Sequence, residues 1–406
     1  MERVILTTGG TGGHIFPALA IAEEVRRRYP KAVLLFMGGQ YGQEADLAVK
    51  AGLDFMGLPV RGVMGRGIKG VGAAFAMGRG VLTALGAIRK MKPQLVVGFG
   101  GYAAFAGVLA ARIAGVRTAV HEQNSYPGMS NRLLGKVVDR VFLSMPDNAG
   151  FFNPDKTVLV GNPVRADINA LNEKGHKRFG PGAHENGLPE QGFDGGDGSP
   201  GSSGVNNIGA REVEQESPLP SRRAPHLLVL GGSLGARAVN DGMIAAIGRL
   251  LETDMEIRHQ TGQADYERVR AAYQQVKAGH VRVEPFITDM AKAYSWADLV
   301  FCRAGASTLA EVTAAGLPAV LAPFPGAAQD HQRHNARFLE KQGGAIIMEQ
   351  EQFLHNYNAL ADILIDVLRD KARLEAMAAC SFAAAKPHAA RDLVDGLEAL
   401  LAEKQD

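Results

Sequence analysis

The chain writes the same opening twice. "RVILTTGGTGGHIFPALAIAEE" (3–24) and "HLLVLGGSLGARAVNDGM" (226–243) each pass from an apolar run through a glycine turn into a helix-like segment. An unbroken apolar run of that length is a strand buried on both faces, which a parallel sheet covered by helices provides. The rhythm continues after each opening, with "AVLLFMGG", "QLVVGFGG", "RTAVHEQ" and "DRVFLS" in the first half and "EIRHQTG", "VRVEPFI", "ADLVFCRAG" and "PAVLAPF" in the second. The expected class is therefore α/β, two parallel-sheet domains. A length of 406 residues is in keeping with two domains.

Between the halves, residues 172–223 are rich in Gly, Ser, Pro, Asn and Glu and poor in apolar residues. Such a composition cannot offset the entropy of ordering it, so a disordered insertion is expected, either a plain linker or a regulatory segment. Elsewhere the chain is of ordinary globular composition, 46% hydrophobic and 21% charged overall. Its two cysteines, Cys302 and Cys380, make neither a disulfide framework nor a zinc spacing. No apolar stretch is long enough to span a bilayer and no export signal opens the chain, so a cytoplasmic, non-integral protein is expected. Net charge is only +2, but from Phe55 to His121 there is no acid at all, while Arg61, Arg66, Lys69, Arg79, Arg89, Lys90, Lys92, Arg112 and Arg117 lie inside. At this acid content such a window arises by chance about one time in a thousand. An anionic partner is expected, whether a phosphorylated substrate, a lipid surface or nucleic acid.

The first glycine turn presents bare N–H groups at the positive end of a helix, which suits an anion or a sugar, although such turns also use glycine for packing alone. A dinucleotide oxidoreductase would carry an acid at the end of the second strand. Here that strand runs into Met37, Gly38 and Gly39, which removes the main support for NAD. His14 ends the turn, where a neutral imidazole can take a proton from a sugar hydroxyl or can serve as a cap or packing residue. Two further strand ends, "GFGGYAAFAG" (98–107) and "HEQNSYPG" (121–128), converge on the same crevice.

In the second half, Ser233 and its turn suit a phosphate, or packing alone. The small-residue turn from Ala304 to Ser307 opens a helix carrying Glu311, which can accept ribose hydroxyls or merely complement the helix dipole. Asp330, His331 and Gln332 start another helix after a proline-rich strand exit, where an amide can bond sugar hydroxyls. No spacing matches a zinc site and no Asp-x-Asp ends a strand, so no metal is expected. In "GIKGVGAAFAMGRGVLTALGAIRKMK" (67–92), Met77, Val81, Leu85 and Ile88 form a stripe that covers a sheet. A second reading of the same helix rests Phe75 and Leu82, beside Arg79, Arg89 and Lys90, on an anionic membrane.

Taken in order, "GGTGGHIFPALA", "GFGGY", "HEQN", "GNPVR", "GGSLGAR", "FITDMA", "ADLVFCRAGASTLAE" and "DHQRHNA" make the sequence resemble the MurG family. Its members are bacterial transferases that pass N-acetylglucosamine from UDP-N-acetylglucosamine to lipid-linked N-acetylmuramyl-pentapeptide in peptidoglycan synthesis. The resemblance spans nearly the whole chain except the insertion. It implies a GT-B fold, two Rossmann-like domains facing a cleft, with no cofactor. The domains are expected at 1–165 and 224–385, with a C-terminal helix in 386–406 packing back on the first. The donor would sit mainly in the second domain. The acceptor, undecaprenyl-pyrophosphoryl-N-acetylmuramyl-pentapeptide (lipid I), would meet the first domain at the cytoplasmic face of the plasma membrane, with an anionic membrane surface as partner and no nucleic acid.

Carried over by motif, Thr11, Gly12 and Gly13 line the sugar and phosphate end, with Gly100, Gly101 and Tyr102 on the acceptor side. Asn124 bonds the donor sugar, and Arg165 and Ser233 serve the nucleotide side. Ile287 meets uracil through its backbone. The run Ala306, Ser307, Thr308, Leu309 and Ala310 holds the phosphates or sugar, Glu311 the ribose, and Gln332 the sugar hydroxyls, with Gln329 as the other amide at hand. His14 is the implied base on the acceptor's C4 hydroxyl, giving a β-linkage without metal. The insertion departs from the family pattern. The alternatives are another GT-B enzyme on a UDP-sugar, such as a glycolipid synthase or a UDP-N-acetylglucosamine epimerase, and a non-catalytic nucleotide-sugar-binding protein. An epimerase would need carboxylates and a histidine around the sugar's second carbon, and the acid-free stretch supplies few.

Overall fold

The structure, a computed structural model, describes residues 1–10, 12–42, 44–60, 69–178, 223–232, 235–276 and 278–403. Most of the expected insertion (179–222), Thr11, Ser233, Arg61 and Arg66 lie outside the described residues.

The first half builds a seven-stranded parallel sheet from β1 (Arg3–Thr7), β2 (Val33–Gly39), β3 (Asp54–Leu58), β4 (Leu95–Gly98), β5 (Arg117–Glu122), β6 (Arg140–Leu143) and β7 (Thr157–Leu159), in the order β3-β2-β1-β4-β5-β6-β7. The second builds a six-stranded parallel sheet from β8 (His226–Leu230), β9 (Glu256–Gln260), β10 (Val281–Glu284), β11 (Leu299–Cys302), β12 (Ala319–Leu321) and β13 (Ala345–Ile347), in the order β10-β9-β8-β11-β12-β13. Both orders are doubly wound, and each reverses direction beside the strand that opens its half. Ligands of such sheets bind at that reversal, outside the carboxyl ends of the strands. The two glycine turns follow β1 and β8, so the topology sets them at the two switch points.

Both faces of the sheets are covered. Val4 and Leu6 of β1 join one core layer and Ile5 the opposite one; Leu227 and Val229 of β8 likewise part from Leu228 and Leu230. The covering helices of the first half are α1 (Gly12–Arg28), α2 (Glu44–Lys50), α3 (Lys69–Met91), α4 (Gly101–Ile113) and α5 (Met129–Leu134). Past β7, α6 (Ala166–Arg178) packs against helices of the second half. It carries regular structure through Arg178, seven residues into the stretch read from composition as disordered. The second half adds α7 (Arg237–Leu250), α8 (Tyr266–Gln275), α9 (Met290–Trp296), α10 (Ala306–Ala314), α11 (His331–Lys341), α12 (Gln350–His355), α13 (Tyr357–Arg369) and α14 (Lys371–Ala384).

The chain then crosses back. In α15 (Ala389–Ala402), Leu393, Val394, Leu397 and Leu400 are buried in the same layer as Val4, Ile21 and Val25. Arg28 of α1 bonds Asp395 at 2.5 Å and Glu398 at 3.0 Å on that helix.

Candidate active site

Three strand ends of the first sheet meet at one point. Gly9 N donates to Gly100 O at 2.9 Å, tying the turn after β1 to the turn after β4. The approach requires glycine. A Cβ on Gly101 would lie 2.0 Å from Gly9 O, and one on Gly100 would lie 2.9 Å from both Cδ2 and Nε2 of His14. Gly100 also has φ 98° and ψ 170°, a conformation open essentially to glycine alone. The imidazole of His14, in the first turn of α1, thus lies over bare backbone.

His14 Nδ1 is buried with no hydrogen-bond partner among the described residues. Burial holds the imidazole below its usual pKa. The carboxylates of Glu122 and Glu44 oppose that shift, as does the Gly9 carbonyl, and the charge of His331 adds to it. A neutral imidazole at neutral pH is a base ready to accept a proton.

The "HEQN" stretch divides its labour. His121 is buried, with Nε2 2.9 Å from Gly161 O and Nδ1 3.1 Å from the Gln123 amide, and burial lowers its pKa to about 4. It is structural. Glu122 is 2% exposed, yet both its oxygens are satisfied: Asn124 N and Nδ2 bond Oε1 at 2.9 and 3.1 Å, while Gly128 N and Asn131 Nδ2 bond Oε2 at 3.0 and 2.9 Å.

Across the cleft, α10 begins at Ala306. Its first N–H groups lack intrahelical partners, an arrangement that suits an anion. Ser307 Oγ donates to Gly13 O at 2.9 Å, joining this helix start to the first glycine turn. Glu311, one turn on, accepts from Tyr294 Oη at 2.9 Å and lies 3.7 Å from Arg165. Burial raises its pKa, and the Arg165 charge and the Tyr294 bond pull the other way. Arg165 Nε is buried without a partner among the described residues, so the guanidinium retains donor capacity.

The remaining expected residues are less uniform. The Leu309 side chain is 2% exposed, within the core of the second domain, and its N–H bonds Gly305 O at 3.0 Å. Ala310 follows it in the same helical ladder. Ile287 N is taken by Gln260 Oε1 at 2.9 Å, which leaves the Ile287 carbonyl for a ligand. Gln332 Oε1 accepts from Phe324 N at 3.0 Å, leaving its amide N–H groups. Gln329 stands in a left-handed conformation, as does Asp330 after it. Tyr102 is partly exposed in the first turn of α4.

Several participants carry no signal in isolated motifs. Gln260 bonds both Ile287 N and Gly232 O, fixing the glycine turn after β8 to the end of the neighbouring strand β9. Asn335 is fully buried on α11 and bridges the domains: its Oδ1 accepts from Ser125 N at 2.9 Å and its Nδ2 donates to Asn124 Oδ1 at 3.1 Å. Arg303, directly at the end of β11, bonds the Ala322 and Pro323 carbonyls and Gln350, and burial lowers its pKa to about 10. Its place at a strand end was the one available clue.

The N-terminal domain of glycosyltransferase family 28 matches residues 4–143, and the C-terminal domain of that family matches residues 226–393. A UDP-N-acetylglucosamine–N-acetylmuramyl-(pentapeptide) pyrophosphoryl-undecaprenol N-acetylglucosamine transferase of Nitratidesulfovibrio vulgaris (strain Hildenborough) is 51% identical over 401 residues, covering 99% of this chain and 98% of its own. A transferase of the same name from Solidesulfovibrio magneticus is 45% identical over 412 residues, covering 100% and 99%. The crystal structure of Acinetobacter baumannii MurG superposes with a TM-score of 0.71 at 29% identity, covering 98% of this chain and 100% of that one. A UDP-GlcNAc 2-epimerase of Neisseria meningitidis shares the fold, with a TM-score of 0.61 at 13% identity over 98% of this chain and 100% of that one. The two domains, their order and their full-length relatives agree: the chain belongs to the MurG family within glycosyltransferase family 28.

Proposed function

We propose that this protein transfers N-acetylglucosamine from UDP-N-acetylglucosamine to the C4 hydroxyl of lipid-linked N-acetylmuramyl-pentapeptide, with His14 as the base. The observation that carries this reading is the seat of His14: a desolvated imidazole over the bare backbone of Gly100, in the turn that Ser307 of the other domain bonds directly. Full-length relatives named for this reaction support it.

In the reaction, the C4 oxygen attacks the anomeric carbon from the face opposite UDP and its proton passes to His14. The bond from C1 to the β-phosphate oxygen breaks, its electron pair leaves with UDP, and the configuration at C1 inverts. Charge developing on the diphosphate meets the open N–H groups at the start of α10 and the guanidinium of Arg165. Glu311 accepts from the ribose through Oε1, the Ile287 carbonyl accepts from uracil, and the amide N–H groups of Gln332 reach the sugar.

The acceptor is lipid-borne, and the surface supports a docking face. Phe75 and Leu82 are each 69% exposed on α3, with Arg79, Arg89 and Lys90 exposed on the same helix, and Ile113 is 60% exposed on α4, against which α3 packs. Among the described residues no helix is long and apolar enough to cross a membrane. We assign this face to the cytoplasmic surface of the plasma membrane, held peripherally by apolar contact and anionic lipid.

The deciding experiment follows labelled N-acetylglucosamine from its UDP donor to a lipid I analogue, for wild type and His14→Ala. The reading expects product from wild type and a loss of about 10²-fold or more in kcat for the variant, with donor affinity little changed. Wild type that binds donor without transferring it overturns the acceptor assignment, and epimerisation of the donor alone would point to the epimerase reading.

A further inference from the structure

A second carboxylate lies behind His14. Glu44 opens α2 and is 2% exposed. Its side chain fills a hollow made by missing side chains: a Cβ on Gly38 would lie 2.8 Å from Glu44 Cβ, one on Gly39 3.3 Å from Oε1, and one on Gly42 1.8 Å from Oε2. Oε1 accepts from Gly10 N at 3.0 Å. Oε2 is buried with no partner among the described residues. Gly10 has φ 106°, and a Cβ there would lie 3.6 Å from His14 Nδ1. The carboxylate thus holds the Gly10 backbone, and that backbone runs beside the Nδ1 edge of the imidazole, with room there for no more than a methyl group at van der Waals contact.

Glu122 is also buried near His14, but four donors satisfy it. Glu44 has one. A buried carboxylate oxygen left without a donor costs stability, and such a departure from full hydrogen bonding is kept where function uses the charge. The charged and titratable groups that act on His14 are Glu44 from α2, Glu122 and His121 from β5, and His331 from α11. Of these only Glu44 also holds the turn that leads into His14.

We propose that Glu44 is a positioning residue for the transfer reaction: it holds Gly10, and with it the first glycine turn, in its left-handed form, and sets a fixed negative charge behind His14. That charge stabilises the imidazolium formed when the acceptor hydroxyl gives up its proton. Glu44 touches neither substrate and takes no proton itself. The inference rests on the reading of His14 as the base.

The test is a titration of histidine-labelled protein by NMR, with His14 assigned from His14→Ala, alongside transfer kinetics. In Glu44→Gln the His14 midpoint should fall by roughly half a unit to one unit. The acid limb of the kcat profile should move down with it, and kcat should drop roughly 3- to 10-fold with both KM values nearly unchanged. Glu44→Asp, which keeps the charge, should recover most of the shift. Should Glu44→Gln fail to fold, Gly42→Ala displaces Oε2 without removing the carboxylate and should lower the midpoint in the same direction. An unchanged midpoint in the folded variants overturns the proposal, as does an equal kcat loss from Glu44→Gln in the His14→Ala background. If instead His14→Ala keeps its turnover, the base reading falls while the titration still reports on Glu44.

Discussion

Ser307, at the start of a helix in the second domain, donates its hydroxyl to the carbonyl of Gly13 in the first, at 2.9 Å. One bond therefore spans the cleft at the residue preceding His14. It joins the start of α1, which follows β1, to the start of α10, which follows β11, the helices at the reversal points of the two sheets. In the proposed function a donor held at α10 and an acceptor held at the first turn meet at this contact, and the Ser307 bond gives way as the substrates enter.

The seat of His14 depends on what Gly100 lacks. Gly100→Ala forces an alanine into a glycine-only conformation, at a cost of about 1–3 kcal/mol, and drives its methyl into the imidazole. The expected outcome is a lowered Tm and a kcat reduced about 10²-fold. UDP binding, which the proposed function assigns to the other domain, should stay within about twofold of wild type by calorimetry. Retained turnover would show that the imidazole need not lie where it does.

Asn335 links the domains without touching the presumed reacting atoms. Asn335→Ala strips Ser125 N and Asn124 Oδ1 of their partner and opens a void at a fully buried position. Together with the bond from Asn335 Nδ2 to Ala304 O, three hydrogen bonds are lost, which should destabilise the chain by roughly 2–4 kcal/mol in urea unfolding, and the transferase should lose activity through a raised donor KM. Asn335→Asp keeps the acceptor for Ser125 N but replaces the donor facing Asn124 Oδ1 with an oxygen, so it should rescue neither. Wild-type KM in the alanine variant would separate the bridge from substrate binding.

The parallel sheets were legible because β1 and β8 are apolar on both faces, a pattern no one-sided strand shows. β3, β7 and β13 were not: all three are edge strands, β3 carries an Asp and a Gly in five residues, and Val158 and Leu159 of β7 are exposed. His14 could be picked out because it ends a turn whose position topology dictates. The two faces of α10 follow from helical geometry: Ser307 and Glu311 are four apart and share one, while Leu309 lies two from each, about 200° around the axis, with its side chain in the core. Glu44, Gln260 and Asn335 act through partners 27 to 211 residues away. No local pattern marks such a residue until the fold closes the distance.

Acidification should unfold this protein through its buried histidines. Burial lowers the pKa of His121 to about 4 and that of His259 to about 3, so the folded state binds fewer protons than the unfolded state between those values and the unfolded pKa of 6.5. Their contribution is complete above pH 6.5 and is lost as pH falls through that window. Each should remove roughly 2 kcal/mol between pH 7.5 and pH 5. His121→Gln, folded at neutral pH, should show a shallower decline by about that amount in chemical denaturation at the two pH values. Parallel declines for wild type and variant would place the acid sensitivity elsewhere.

Membrane docking by α3 makes a separable pair of predictions, because its apolar and basic residues act by different physics. Phe75 and Leu82 stand out from the helix while Met77, Val81 and Leu85 are packed against the sheet, so replacing the first two with serine removes no core contact. Phe75→Ser with Leu82→Ser should weaken vesicle binding at any salt concentration, by about 1.5–3 kcal/mol for each side chain that inserts fully. Changing Arg79, Arg89 and Lys90 to serine should cost about 1 kcal/mol per charge on anionic vesicles, nothing on neutral ones, and progressively less as salt rises. Both variants should keep wild-type turnover on a water-soluble acceptor analogue, since the altered positions lie on an outer face. Equal flotation of wild type and both variants on anionic vesicles would exclude this face as the docking surface, whatever the chemistry at His14.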